Sequence, residues 1–255
     1  GSRVFYQAVA VRFVIGRNCQ LKYGARLLNS VIGDNSTVSC CELLNNLIFP
    51  FHEQHHNSSF LIATTIMGQS NIAAGSTIGS NHNSRSPDGE IIAGRGFWPG
   101  LCSDFKHNSK FASFSLISKG SYQQELNICY PFSLVAPGKD SSNAINIIPA
   151  WWFMYDMFAI VRNRYKFKKR DKRAVKIQNI EMDPLAPDTM QEVLAAIARI
   201  IELTQAKLAD FGKTFDSSEQ VDIRQIAKDY LHQHSEEDFE LFDRLCQKKY
   251  GAVII

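Results

Sequence analysis

Long apolar runs are missing from this chain. The closest is residues 150–161, apolar except for Asp156, and it falls short of the roughly 20 residues that cross a bilayer. Its length suits a buried or interfacial helix. Paired cysteine spacing is missing too: Cys19, Cys40, Cys41, Cys102, Cys129 and Cys246 contain no C-x-x-C pair, and no dense disulfide framework is expected. Reduced thiols in a cytoplasmic protein fit this usage. A strong charge imbalance is absent, since +3 over 255 residues does not by itself call for a polyanionic partner. No signal peptide is seen, because the start, Gly1-Ser2-Arg3, runs directly into a structured pattern.

Charge is scarce in one part only. Residues 1–150 hold 11 Lys+Arg and 8 Asp+Glu, whereas 151–255 hold 17 of each. The composition therefore changes near Pro149, which sets the expected domains as 1–149 and 150–255.

What the first part does contain is a count in sixes. Phe60, Ile66, Ile72 and Ile78 stand six apart, with Thr64, Ser70, Ser76 and then His82 four residues after each. Phe105, Phe111 and Ile117 repeat the pattern with Ser109, Ser115 and Ser121, and Val9, Ile15 and Leu21 repeat it near the start. A helix would repeat at 3.6 residues and a strand at 2. A period of six suits a parallel β-helix with three short strands per coil. The first residue of each hexad points inward and stacks about 4.8 Å from its equivalent one coil away. The fifth points in near a corner and must be small. An antiparallel sandwich is the competing reading.

The I-G-x-x-S hexads resemble the hexapeptide-repeat superfamily. That resemblance implies a left-handed parallel β-helix, homotrimers, and acyl transfer to sugars or small amines. A closer resemblance lies in Gln54-His55-His56-Asn57-Ser58-Ser59-Phe60-Leu61-Ile62-Ala63, Gly79-Ser80-Asn81-His82, Pro131-Phe132-Ser133-Leu134 and Lys169-Arg170-Asp171-Lys172-Arg173. These resemble an uncharacterised bacterial family, a domain of unknown function with longer chains, over about residues 10–200. That resemblance implies a fragment or a shortened relative and brings no established reaction.

Chemistry is expected where the repeat breaks, in a loop excursion over 83–98 rooted on His82. His82, His55 and His56 are the candidate general bases, because a neutral imidazole can take a proton from a hydroxyl or amine that attacks a thioester. Asn81, Arg85, Arg95, Lys106 and His107 are the candidate substrate contacts, with Lys106 and His107 suited to phosphate. No tightly bound cofactor is expected; acyl-CoA or an acyl carrier is the possible co-substrate, and a sugar or nucleotide-sugar the acceptor. His52, His55, His56 and Glu53 converge on a metal only in a helix, for which Pro50 and the β register from Phe60 leave little room. No metal site is therefore assigned. A non-catalytic sugar-nucleotide-binding or assembly module is the alternative function.

The second part reads as α-helical. Residues 162–176 carry nine basic residues and one acid. A solvated connector is expected there, because acidic residues downstream can neutralise it; phosphate or an anionic membrane are weaker readings, and nucleic acid is weaker still because aromatic interleaving is thin. Val193, Leu194, Ile197, Ile200, Ile201, Leu208 and Phe211 mark a helix capped by Asp188 or Thr189. Ile223 to Leu231 and Phe239 to Cys246 mark two more. Trp151 and Trp152 are expected to dock this part on the β-helix.

Overall fold

Hexad after hexad, the chain turns a corner and returns one layer further on. The computed structural model describes residues 1–80, 89–138 and 144–210. Over the described residues it is a parallel β-solenoid of about seven coils. Ile15 lies beside Ile32, Ile32 beside Ile48, and Ile48 beside Ile66. Coil-to-coil offsets are 16 to 18 residues, except across the excursion, where Thr64 pairs Ile91 at an offset of 27. The sheets are parallel throughout until Ile145–Ile148 closes antiparallel on Leu134–Pro137.

The core is the axis of the prism. Ile66, Ile72, Ile78, Phe105 and Ile117 are fully buried, and so are the corner residues Ser76, Ser109 and Ser115. Each fully buried Ile or Phe stabilises the coil by about 1.5–3 kcal/mol. The corner serines bond backward: Ser109 Oγ donates to the Lys106 carbonyl at 2.8 Å, and Ser115 Oγ to that of Ala112 at 2.7 Å. That return bond satisfies the polar group a tight interior would otherwise strand.

Three inward residues differ from the hexad count, one being Tyr122, which is buried where the count gives the exposed Ser121. Leu61, not Phe60, is the buried partner of Ile78, with Phe60 beside Thr77 on the outer side. Ala10, not Val9, lines up with buried Leu27. Corners absorb one residue more or less per coil, so a strict count of six slips by one.

Each corner needs a left-handed backbone residue. One corner carries Asn18, Asn35, Phe51, Gln69, Gly96, Phe114 and Phe132, all at φ between 47° and 72°. Asn and Gly tolerate this region, but three phenylalanines there are strained by roughly 1–3 kcal/mol each. Their rings repay the strain by holding helices. Phe114 and Phe132 stack with centroids 4.8 Å apart, and Phe51 lies 5.1 Å from Phe167.

Those helices are α1 (Trp151–Tyr155), α2 (Met157–Arg170) and α3 (Pro187–Asp210). Trp152 is buried against Phe114, Phe132 and Ile160, while Trp151 packs at the margin. The basic segment differs from a solvated connector: it is helical to Arg170, and Arg173 is buried. Arg173 forms a two-pronged pair with Asp171 (2.8 and 3.0 Å) and reaches Asp34 at 3.3 Å. Asn35 donates to the same Asp171 at 3.0 Å. The bonds from Arg173 hold the Asp171 carboxyl well below the usual carboxylate range.

α3 starts at Pro187, before the expected cap, because proline suits a first helical position whose N–H would be unbonded. The described residues to Val193 form one compact unit, and a second begins at Leu194. The two further helices expected after 211 lie outside the described residues. No helix among the described residues is long and apolar enough to cross a membrane.

Candidate functional site

Two histidines three positions apart in one coil have opposite surroundings. His52 points inward and is fully buried. Its Nδ1 lies 2.8 Å from Ser70 Oγ and its Nε2 3.2 Å from Gln54 Oε1, itself fully buried. The amide oxygen of Gln54 can only accept, so Nε2 carries the proton and Nδ1 accepts from Ser70. Burial pushes the His52 pKa down to about 4 and keeps the ring neutral. His52 therefore belongs to the core, and the three histidines of this segment do not converge.

His55 points outward. Its Nδ1 lies 3.2 Å from Glu53 Oε2, and the other oxygen of that carboxylate accepts from Arg170 Nη1 at 2.7 Å. The His56 ring sits 4.4 Å from that of His55. Burial, partly opposed by Glu53, lowers the His55 pKa, which favours the neutral base near pH 7. His55, Glu53 and Arg170 line a groove of about 540 Å³. Its floor is the outward face of Gln20–Lys22, Thr37–Ser39 and Glu53–Gln54, and its end wall is the α2 terminus with Arg170 and Lys172. Asn18 donates to Asn35 along one side at 2.7 Å, and Tyr23 and Cys40 complete the rim.

The other predicted site residues fare differently. His82, Asn81 and Arg85 lie outside the described residues. The strand Ile91–Ala93 already belongs to the coil, so the excursion ends well before 98. Its root is fixed by Gly79, at φ +83°, where any Cβ would overlap the Ile62 carbonyl. Arg95 is no open substrate contact: it is buried, with Nε and Nη2 on Asp188 (2.7 and 2.8 Å), Nη1 on the Asp183 carbonyl and Nη2 on Thr189. Four of its five N–H donors are spent anchoring the start of α3. Lys106 reaches Glu125 at 3.5 Å. His107 is buried, and its Nδ1 has no hydrogen-bond partner among the described residues. Among the described residues no three His, Cys, Asp or Glu side chains gather to hold a metal ion. Sequence reasoning missed Glu53 as the partner of His55 and Arg170 as its second ion. The first was readable from the alternation of a strand, which sends 53 and 55 to one side; the second comes from 117 residues away.

Residues 1–204 match the family model described as Domain of unknown function (DUF4954). The chain belongs to that family. It is 55% identical over 193 residues to a protein of Treponema pallidum (strain Nichols) named "Uncharacterized protein". That match covers 76% of this chain and 26% of the relative, so the chain spans about a quarter of the length of the protein it matches. No solved structure matches.

Proposed function

We propose that the chain is the β-solenoid part of a transferase, moving an acyl group to a sugar or nucleotide-sugar in the groove beside α2. The observation that supports this reading is the outward His55 held by Glu53 at 3.2 Å within the groove. With Glu53 accepting the Nδ1 proton, the other ring nitrogen is left to take a proton from an attacking hydroxyl or amine. Acyl-CoA or an acyl carrier is the donor in this scheme. His56 stands behind His55, and His82 joins the test as the residue at the root of the excursion. The solenoid is then of the hexapeptide-repeat type, left-handed, cytoplasmic and assembled as a homotrimer.

The alternative is a non-catalytic module that binds a sugar-nucleotide or assembles a larger protein. The short Arg170–Glu53 pair favours it, since a carboxylate shared with a structural cation is a weaker orienter for a base. Transfer from acyl-CoA to a panel of nucleotide-sugars separates the two. The transferase reading expects turnover that His55→Ala lowers by 10²-fold or more. Binding of a nucleotide-sugar without turnover selects the module. Turnover untouched by His55→Ala, His56→Ala and His82→Ala together removes all three from the mechanism.

A further inference from the structure

Behind Glu53, on the side away from the groove, a second cavity of about 140 Å³ lies between α2 and the solenoid face. Arg162, Asn163 and Lys166 come to it from one side of α2, being spaced as neighbours on a helix surface. Asn71 comes to it from the coil, and Trp98 and Phe114 form apolar wall. The polar groups are not spent on the protein. Among the described residues neither Arg162 nor Lys166 makes an ion pair within 4 Å, and the side-chain amides of Asn71 and Asn163 have no hydrogen-bond partner. The half-buried Lys166 ammonium stands 5.7 Å from the Phe167 ring and is drawn to Glu53 without a direct ion pair, while burial, with Arg170 and Arg162, lowers its pKa. Glu53, the acid that shares the space, is already held by Arg170 and His55.

A cavity with two unpaired cations and two unpaired carboxamides is built for an anion with several acceptor oxygens. We propose that it is a phosphoryl-binding site. Donors arrive from two opposite walls, which suits a tetrahedral group better than a planar carboxylate. The volume equals roughly four to five waters: enough for a phosphoryl group, too little for a nucleoside. The remainder of a phosphorylated sugar would extend outside it. The site stands on these groups alone and needs no transfer chemistry at His55.

Titration of the full chain at low salt, followed by 31P line broadening and calorimetry, tests it with inorganic phosphate and with a hexose phosphate as probes. Saturable binding of either probe is expected. Lys166→Met and Arg162→Met should each weaken it tenfold or more, and Asn71→Ala several-fold. Tighter binding of the hexose phosphate identifies a sugar-linked group, and equal binding free phosphate. His55→Ala should leave these affinities unchanged, so loss of the transferase reading would not carry this one with it. Absence of saturable binding overturns the proposal. So does binding that survives Lys166→Met, Arg162→Met and Asn71→Ala alike, or binding that sulfate matches in the variants as in the parent chain.

Discussion

One outward face of the solenoid is bare along its early coils and roofed along its late ones. Early, its outward row reads Gln20, Thr37, Glu53, polar and open to the groove. Late, the row reads Trp98, Leu116, Leu134, and Trp98 and Leu116 pack against the cluster built on Trp152. The inward rows differ far less. A solenoid fixes its interior by stacking and leaves its exterior free, so the outer row alone decides where a helix can lie. Both cavities form at the step between the two regimes, where Glu53 gives way to Asn71 and α2 ends in Arg170.

Breaking the contacts between the helical segment and the coils, early or late, should cost most. Arg173→Met leaves buried Asp34 without a cation and buried Asp171 with only the more distant Lys176 at 3.5 Å, and urea unfolding should show a loss of about 3–5 kcal/mol. Trp152→Ala should cost a similar 3–5 kcal/mol by opening a cavity against Phe114 and Phe132. Both losses should fall on the contact between helices and coils; a change under 1 kcal/mol for either would mean that the roof is loosely attached.

The core polar pair sharpens the contrast through pH. His52 has its folded pKa lowered to about 4, against about 6.5 unfolded. The unfolded chain therefore takes up a proton first. Stability from this group is complete above about pH 6.5, falls as pH drops to about 4, and is flat below. The loss amounts to about 3 kcal/mol. Asp171, whose pKa is depressed, contributes in the same direction at lower pH, beginning near the ordinary carboxylate value. Unfolding free energies measured from pH 7 to 4 should decline in the parent and stay flatter in His52→Gln. A substitution on the bare face, Thr37→Ala, should move stability by no more than about 0.5 kcal/mol.

The repeat was legible because stacking forces the same inward residue type at each turn: Ile66, Ile72, Ile78, Phe105 and Ile117 all face the axis. The slips at Phe60 and Val9 were not, since corner length varies by a residue without changing composition. His52 and Gln54 were hidden for a different reason. A polar side chain in an inward row breaks the apolar pattern that reveals the row, and the mutual bond of His52 and Gln54, with Ser70 one coil on and Ser59, makes it tolerable. Arg95 read as a free charge because Asp188 lies 93 residues away, and the Arg173 pair with the nearby Asp171 read as part of a solvated stretch because Asp34, the coil residue it reaches, lies 139 residues away. Of the candidate site, one of His55 and His56 could be marked as facing a groove, and it is His55 that lines it. The groove itself could not, because its end wall depends on where α2 stops.

The account rests on coil register sending His52 to the axis and His55 to the groove. Imidazole titration of the full chain by NMR, with each histidine assigned by substitution, tests this directly. His52 should stay neutral until about pH 4, and His55 should titrate below the ordinary value and fall further in Glu53→Gln, which removes the charge that raises it. A His52 that protonates near pH 6.5 would put that ring in water and contradict the register.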